Sequence, residues 1–485
     1  MRFFTILTGD YTVPPEEIAK IRENLEKHAQ SHLLTFYDEL DEFRRAELLA
    51  QVQELDLSQV DRWVEKYVKS PSAHKIPDRF TPAAAYDTTP SPSQRQKYSD
   101  ALELGEELIS TGKVAPLVVA GGQGTRLGFD GPKGNFPISP VSGKTLFEIF
   151  AETITSTSKK YGVELPWYVM ASPLNYQAIK KVFRDNNFYG LKADNVFIFQ
   201  QGTLPNFSFD GEILLSDKSR IARSPDGHGG IIKALQRSGA LADMKSRNIK
   251  YISYWQVDNP VIKIFDRLFL GLHELDKSDM SSKALAKEQP YEKVGNFCLA
   301  DGKVTVIEYS DLSDELAEKT NPDGSLLFNL GSIGIHIINV EFVERLNAQG
   351  LSLPLHRAVK KIPHIDSSGR LIHPEKPNAV KLEKFIFDAL PFTRNSVIFK
   401  TVRREEFAPV KNATGRKSPE STRQLMVNRA AGWLEAAGIQ IPRRPDGPPD
   451  CLIELAPSFA LDADDVKKKA HRVPVIKRGG KVYLD

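Results

Sequence analysis

The stretch PLVVAGGQGTRLGFDGPKGNFP, residues 116–137, joins an apolar run typical of a buried β-strand to a glycine-rich loop. The glycines that follow the run are Gly121, Gly122 and Gly124. Glycines at a strand end let a ligand approach the backbone, and their N–H groups can hold phosphate oxygens. In open α/β sheets such loops lie at the carboxyl ends of strands, where ligands bind. Because Arg126 and Lys133 add two cations, the stretch predicts recognition of a phosphate or nucleotide.

Two common phosphate-binding patterns do not fit the chain. Residues 143–145 supply the end of a Walker A loop, but Ile138 stands where its first glycine belongs. A Rossmann G-x-G-x-x-G pattern would begin at Gly122, and Leu127 then occupies the third glycine position. These mismatches argue against a P-loop NTPase and a dinucleotide-dependent dehydrogenase.

The region around the loop alternates between short β-rich runs and helical patterns. The β-rich runs are LVVA at 117–120, WYVM at 167–170, VFIF at 196–199, ISYWQV at 252–257, VTVIEY at 304–309 and IGIHII at 333–338. LFEIFAETITSTSKKY and IIKALQRSGALADMKSRN are helical patterns between them. This alternation predicts an α/β fold with a doubly wound, mixed but mainly parallel sheet.

The sequence outside this region suggests a three-part organisation. Apolar positions from Pro15 to Tyr37 recur every three or four residues and predict one amphipathic helix. EFRRAELLAQVQEL and the segment around DRWVEKYV predict two more helices. Prolines in residues 70–95 predict an extended connector, and the last ~75 residues return to short strands. We expect an N-terminal helical region with connector, a central catalytic domain and a small β-containing C-terminal domain, over residues 1–100, 101–410 and 411–485.

Composition excludes several classes of protein. The 485 residues contain 65 Lys and Arg against 62 Asp and Glu, so the chain lacks the net basic field that dominates nucleic-acid binding. Only Cys298 and Cys451 are present, which excludes a disulfide framework and a Cys₄ zinc module. No apolar run is long enough to span a bilayer, and MRFFTILTGDYTVPPEE does not read as a signal peptide. We therefore expect a cytoplasmic monomer or weak homo-oligomer, without nucleic-acid or membrane partners.

The loop also carries a family resemblance. GGQGTRLGFDGPK resembles the G-G-x-G-T-R-L-G-x-x-x-P-K motif of UDP-sugar pyrophosphorylases. Further matches follow in order: FQQGTLPNFSFDG, SPDGHGG, QVDNP, EKVGNFC, VIEYS, LLFN, KPNAVKLEKFIFD and EEFAPVKNA. Nearly the whole chain is similar to the eukaryotic-type UDP-N-acetylhexosamine pyrophosphorylases. The resemblance implies a Rossmann-like, GT-A-like nucleotidyltransferase fold and a reaction in which a sugar 1-phosphate oxygen attacks the α-phosphorus of UTP and releases pyrophosphate. Positioning and electrostatics would carry such a reaction.

The resemblance also implies roles for individual residues. It assigns catalysis to Arg126, Lys133 and Lys411, with Lys411 on the sugar phosphate. It assigns nucleotide binding to Gly121, Gly122, Gly124, Gln201, Gly227, Asp258 and Lys381. Asp258 follows the apolar strand in ISYWQVDNP, where a carboxylate can bind Mg²⁺ that bridges phosphate oxygens. An Asp before Asn-Pro is also a good turn starter.

Sugar recognition is where the chain departs from the family pattern. Gly295, Glu308 and Tyr309 match the positions that hold the hexose hydroxyls. His228 stands where the hexosamine enzymes have asparagine in D-G-N-G-G, and Ser332 replaces a second asparagine, in L-F-N-x-G-N. We expect His228 to hydrogen-bond the substrate, because no partner motif supports a metal ligand or general base there.

The leading substrate is N-acetylglucosamine 1-phosphate. His228 and Ser332 favour glucose or galactose 1-phosphate as the alternative, since exchanged hydrogen-bonding groups change which sugar is satisfied. A different class of function is a nucleotide-sugar-binding regulator without turnover. The charged residues implied for the site argue against such a regulator, because simple binding would not need all of them: Arg126, Lys133, Asp258, Lys381 and Lys411.

Overall fold

The structure is a computed structural model that describes residues 13–70 and 76–485. The first twelve residues, whose sequence argued against a signal peptide, and Pro71 of the predicted connector lie outside the described residues. The described chain forms two compact units. The first unit takes residues up to Ile76 together with 202–230 and 353–385, and the second takes 77–201, 231–352 and 386–485. The division at residues 100 and 410 stays a prediction.

The described residues form 14 α-helices and 21 β-strands. The helices are α1 (Pro15–Lys27), α2 (Glu42–Gln53), α3 (Leu57–Trp63), α4 (Arg95–Ser110), α5 (Leu146–Tyr161), α6 (Tyr176–Asp185), α7 (Ile231–Arg237), α8 (Ala240–Ser246), α9 (Arg267–Leu275), α10 (Asp314–Glu318), α11 (Val340–Ala348), α12 (Arg403–Glu406), α13 (Pro419–Ala436) and α14 (Ala463–Lys469). None of these helices is long and apolar enough to cross a membrane.

The strands are short, and most have buried residues. They are β1 (Thr81–Pro82), β2 (Val114–Val119), β3 (Trp167–Ala171), β4 (Val196–Gln200), β5 (Thr203–Pro205), β6 (Phe207–Ser208), β7 (Leu215–Asp217), β8 (Arg220–Ile221), β9 (Arg223–Pro225), β10 (Tyr251–Gln256), β11 (Met280–Ala286), β12 (Asn296–Ala300), β13 (Lys303–Ile307), β14 (Leu330–Asn339), β15 (His356–Lys360), β16 (His364–Ile365), β17 (Leu371–Ile372), β18 (Ala379–Glu383), β19 (Ile398–Lys400), β20 (Leu452–Leu455) and β21 (Lys481–Leu484).

The second unit is built around a ten-stranded mixed sheet. Its main path runs β1-β12-β14-β10-β2-β3-β4, with β11 and β13 pairing to β14 and β12, and β19 pairing to β11. The neighbours β10, β2, β3 and β4 run parallel, whereas β14 is antiparallel to β10. Every residue of β2 and β3 is buried, as expected for strands covered on both faces. The predicted α/β class with a mixed, mainly parallel central sheet is confirmed.

Helix α5 covers one face of this sheet. Thr145 and Glu148 form a capping box at its start, and Gly162, with φ of 66°, ends it in the left-handed conformation. Phe147 and Phe150 of α5 are buried against aromatic residues of β3 and β10. This core fixes the sheet whose strand ends form the candidate site.

The first unit has its own hydrophobic core, in which α1–α3 pack against short strands from the two later segments. Its largest sheet has the order β15-β18-β6. The buried side chain of Gln30 also joins two of the segments: its amide donates to Gly211 O (3.0 Å), and its Oε1 accepts from Ile213 N (2.9 Å). Unit 1 is therefore stabilised by contacts between residues far apart in sequence.

Two predicted helices differ from the observed ones. The predicted helix from Pro15 to Tyr37 ends at Lys27, because Ala29 adopts a left-handed conformation with φ of 53° that an α-helix cannot continue through. The helix predicted from IIKALQRSGALADMKSRN is divided into α7 and α8 at Gly239, which has φ of 83°. In both cases the apolar residues keep their helical spacing across a residue whose left-handed conformation interrupts the helix.

Residues near the C-terminus form a separate hydrophobic cluster within the second unit. It is contributed by α13, α14 and the parallel pair β20–β21. The Glu454 carboxylate accepts hydrogen bonds from Val141 N (2.8 Å) and Ser142 N (2.7 Å), which joins this cluster to the turn before α5.

Candidate active site

The candidate site lies at the carboxyl ends of the four parallel strands of unit 2. Gly121 follows β2, Asn175 lies in the turn after β3, Gln201 follows β4, and Asp258 lies two residues after β10. Because parallel strands end at the same edge, four separate loops are brought together there. This is the edge at which open α/β sheets bind ligands.

The glycine loop is closed by its own hydrogen bonds. Lys133 N donates to Gly122 O (3.1 Å), and Gly124 N donates to Gly131 O (2.9 Å). A Cβ at position 124 would lie 2.6 Å from the Phe129 ring, so only glycine fits there. The Gly124 N–H is thus used within the loop, while Gly122 has open space around its Cα. Binding of nucleotide by the three glycines stays a prediction.

Asn175 is a supporting residue that sequence reasoning missed. Its buried amide donates to Ala120 O (3.0 Å) and Gly122 O (3.3 Å), and its Oδ1 accepts from Ser172 N (2.9 Å). It therefore links the turn after β3 to the start of the glycine loop. The available signal was a polar residue shortly after the apolar run WYVMA.

Gln201 lies directly against the backbone of Gly121. A Cβ at position 121 would be 2.6 Å from Gln201 Oε1, which explains the need for glycine. Gln201 is almost completely buried, and its backbone N–H donates to Ala171 O (2.9 Å). The structure thus brings two predicted nucleotide-binding residues, 121 and 201, into one cluster.

Cationic side chains gather around Asp258. Lys411 Nζ lies 3.3 Å from Asp258 Oδ2, and Lys133 Nζ donates to Val410 O (3.4 Å). Burial lowers the pKa of Lys133. The charge of Asp258 raises this pKa, and the charges of Lys411 and Arg126 lower it. Arg126 is exposed on the loop. The three predicted catalytic cations therefore lie within electrostatic range of one another.

The segment that carries Lys411 is fixed by Asn259. The buried Asn259 amide donates to Glu406 O (2.6 Å), and its Oδ1 accepts from Ala408 N (3.2 Å). Val410 N donates to the backbone oxygen of residue 258 (2.8 Å). One side chain next to Asp258 thus sets the path of the chain that leads to Lys411.

A buried ion cluster supports the same segment. Lys283 is fully buried, and its ammonium lies 2.7 Å from Glu406 Oε1 and 2.6 Å from Asp266 Oδ2. Burial alone would raise the pKa of Asp266, but the charges of Lys283 and Lys263, together with hydrogen bonds, hold it below its ordinary value. The Asp266 carboxylate therefore stays ionised beside the buried ammonium.

Four of the five predicted sugar-binding residues belong to unit 2, and three of them are in close contact. Ser332 N donates to Gly295 O (2.7 Å), and a Cβ at position 295 would lie 3.1 Å from Glu308 Oε1 and closer still to Val306. Tyr309 is exposed in the following turn. Strand β14, which carries Ser332, is the antiparallel neighbour of β10, the strand that Asp258 follows.

The other predicted residues belong to unit 1. Gly227 has φ of 84°, and a Cβ there would lie 2.4 Å from Lys384 O, so the close approach requires glycine. Lys381 donates to Glu383 Oε1 (2.9 Å) on β18. Their nucleotide-binding roles stay predictions.

His228 is oriented by aromatic stacking within the same unit. Its ring lies nearly parallel to that of Phe385, with centroids 5.2 Å apart, and Phe385 also stacks with His356 at 4.2 Å. The stacking limits the directions in which the two imidazole rings can form hydrogen bonds. His228 therefore presents a stacked imidazole at the position where the family pattern has an asparagine.

The residues present fit a cation held mainly by substrate. Within residues 13–70 and 76–485, no three His, Cys, Asp or Glu side chains converge on a common metal position. Asp258 would contribute one carboxylate. Mg²⁺ is typically bound through one or two carboxylates, with phosphate oxygens and water completing its octahedron.

Comparison with known proteins agrees with this arrangement. The sequence profile of the family described as UTP–glucose-1-phosphate uridylyltransferase matches residues 62–483. The chain belongs to this family. The resemblance expected from the sequence is thereby confirmed, and the chain is a uridylyltransferase.

Individual relatives extend the similarity over most of the chain. The uridylyltransferase is 36% identical to human UDP-N-acetylhexosamine pyrophosphorylase-like protein 1, covering 92% of this chain and 94% of that protein. It is 37% identical to UDP-N-acetylglucosamine pyrophosphorylase of Saccharomyces cerevisiae, covering 74% of this chain and 76% of that protein. Among solved structures, that of an Entamoeba histolytica protein described as a UDP-N-acetylglucosamine pyrophosphorylase superposes with a TM-score of 0.73 at 29% identity, covering 84% of this chain and 99% of that one.

Proposed function

We propose that this uridylyltransferase forms UDP-N-acetylglucosamine and pyrophosphate from UTP and N-acetylglucosamine 1-phosphate. The observation that carries the proposal is the convergence of Lys133, Lys411 and Asp258 beside the glycine loop. The names of the relatives, which specify UDP-N-acetylhexosamine or UDP-N-acetylglucosamine, support the choice of sugar.

In this proposal the cations act by positioning and by charge stabilisation. Lys411 binds the sugar phosphate, whose oxygen forms a bond to the α-phosphorus of UTP while the bond to pyrophosphate breaks. Arg126 offers a planar set of donors and Lys133 a compact charge for the α-phosphate and the leaving pyrophosphate. Preorganised cations at developing charge supply catalysis without a covalent intermediate.

Nucleotide recognition would use the loops around Gly121. Uracil presents carbonyl acceptors and an N–H donor, which the Gln201 amide and nearby backbone groups can complement. Asp258 would hold Mg²⁺, which when bound neutralises phosphate charge. We further expect Gly227 and Lys381 to contact the nucleotide, and the protein to act in the cytoplasm as a monomer or weak homo-oligomer.

A second candidate substrate is glucose or galactose 1-phosphate. The observation that favours it is the pair of exchanges at His228 and Ser332. An imidazole held against Phe385 presents its donor and acceptor differently from an asparagine amide. A site built to bond one group discriminates against a sugar that lacks it.

The test is pyrophosphate release with UTP, Mg²⁺ and a panel of sugar 1-phosphates. We expect turnover, highest with N-acetylglucosamine 1-phosphate; a higher kcat/KM for glucose or galactose 1-phosphate would select the second candidate. Lys133→Ala should lower kcat by at least about 100-fold, whereas the control Lys97→Ala, which removes a partly buried lysine paired with Asp276, should retain turnover.

Two outcomes would contradict the proposal. Binding of UDP-sugars without turnover of any sugar 1-phosphate would favour the regulator. An unchanged rate for Lys133→Ala would remove that lysine from the reaction. His228→Asn should shift kcat/KM towards N-acetylated sugars, and no shift would show that sugar specificity is set elsewhere.

A further inference from the structure

We propose that Lys417 is a further substrate-binding residue of this site and that its ammonium contacts the phosphate of the sugar 1-phosphate beside Lys411. The inference rests on the proposed function. Three structural observations support it: the fold of the loop, the backbone conformation of residue 417 and the surroundings of its ammonium.

The loop brings residues 411 and 417 together. Lys411 N and Asn412 N both donate to Lys417 O, at 2.7 and 3.1 Å. The Asn412 amide also donates to Arg416 O (2.8 Å), which closes the loop a second time. Because Lys411 pairs with Asp258, this closed loop holds both lysines at the candidate site.

The backbone of Lys417 is strained. Its φ is 62°, in the left-handed region where a Cβ is disfavoured and glycine is not. Such conformations occur preferentially at ligand-binding sites, where the surrounding structure enforces them. A glycine would satisfy the same hydrogen bonds at lower conformational cost, so the backbone alone gives no reason for a lysine.

The ammonium of Lys417 lies beside an aromatic ring and within electrostatic range of a second lysine. It lies 5.8 Å from the centre of the Phe407 ring, and no carboxylate of the described residues forms an ion pair with it, whereas Lys411 pairs with Asp258. Burial lowers the pKa of Lys417, the charges of Lys411 and Arg416 lower it further, and the carboxylates of Glu292 and Asp258 offset this only in part. A half-buried cation next to a second cation is unfavourable by itself, and a bound anion offsets both costs.

A phosphate monoester matches this pair of lysines. Its oxygens can accept charge-assisted hydrogen bonds from two ammonium groups at once. UTP and pyrophosphate are also anionic, so the chemistry alone allows either substrate. The proposal commits to the sugar 1-phosphate because Lys417 is held against Lys411, the residue proposed for that phosphate.

The decisive variant is Lys417→Gly, which removes the cation and also relieves the backbone. We expect the KM for N-acetylglucosamine 1-phosphate to rise roughly tenfold or more, with the KM for UTP within about threefold. The thermal midpoint should be unchanged or higher, because glycine adopts this φ freely. Lys417→Arg should retain most of the affinity.

Lys277→Gly is the matched control. Lys277 also has a positive φ, 48°, but it is exposed in the turn between α9 and β11. This variant should leave both KM values unchanged. Its thermal midpoint should be unchanged or higher, as expected for Lys417→Gly.

The proposal is overturned if Lys417→Gly leaves the KM for the sugar 1-phosphate unchanged, or if it raises the KM for UTP instead. If the wild-type protein shows no turnover, the proposed function fails, and calorimetric titration with UDP-N-acetylglucosamine tests Lys417 separately. Weaker binding by Lys417→Gly would support the contact; equal binding, or no binding by the wild type, would overturn it.

Discussion

Replacing Lys283 with methionine tests the buried ion cluster beneath the site. Methionine has a similar length and volume but no charge, so the change leaves the buried Glu406 and the partly buried Asp266 without their cation. Lys283 is fully buried, and both Glu406 oxygens lie 2.7 Å from its ammonium. Removing one partner of a buried ion pair costs about 3–5 kcal/mol, because the remaining charge is uncompensated. We expect the free energy of unfolding of unit 2 to fall by this amount.

The pH dependence of the variant follows from the same geometry. In the wild type, the pKa of Asp266 is below its ordinary value, so its contribution to stability is present above the unfolded pKa and is lost as pH falls through the folded one. Without Lys283, burial and the neighbouring carboxylate should raise the pKa of the pair. The destabilisation should therefore be largest near pH 8 and smaller near pH 5, where a carboxyl group can be protonated.

The assay is urea denaturation at pH 5 and pH 8, followed by tryptophan fluorescence. Lys97→Met is the control, because Lys97 also pairs with a carboxylate but is about one-third exposed; it should cost about 0–1 kcal/mol. Adding Glu406→Gln to Lys283→Met should recover part of the loss. A Lys283→Met protein as stable as the control at pH 8, or equally destabilised at both pH values, would refute the reasoning.

Three other features of the structure give simpler predictions. Asn259→Ala leaves two buried backbone groups without their partner, at a cost of about 1–3 kcal/mol each. It should lower kcat by at least about tenfold in steady-state assays, and unchanged turnover would contradict a positioning role for Asn259. Gly121→Ala places a Cβ 2.6 Å from Gln201 Oε1 and should raise the KM for UTP roughly tenfold, whereas Gly432→Ala, on an exposed face of α13, should not change it and should stabilise the helix. Burial lowers the pKa of His273 to about 4. The unfolded chain therefore binds a proton on this histidine more readily, and the protein should lose stability as pH falls from about 6.5 towards 4. Urea midpoints that do not change with pH over this range would contradict the lowered pKa of His273.

The local features of the site were largely predictable from sequence. The run ending at Val119 and the glycines after it indicate a strand followed by a ligand-binding loop, because burial and glycine act over a few residues. The position of Asp258 after an apolar run was readable in the same way. The carboxyl ends of parallel strands then bring these loops together without any further sequence signal.

What could not be predicted depends on contacts between distant segments. The role of Asn175 requires that its turn lie beside Gly122, and that of Asn259 requires the segment from Glu406 onwards. No periodicity or motif records such contacts, so these supporting residues become visible only in three dimensions.

The discontinuous first unit has a consequence for synthesis of the protein. Its N-terminal helices bury their apolar faces against segments that end near residue 385, about 300 residues later in the chain. At roughly 5–20 residues per second, the ribosome needs about 15–60 s to supply those partners. During that interval the apolar faces of α1–α3 remain uncovered by their native neighbours. We therefore expect nascent chains released before residue 385 to bind chaperones or aggregate, even though the missing part begins far from the N-terminal helices in sequence.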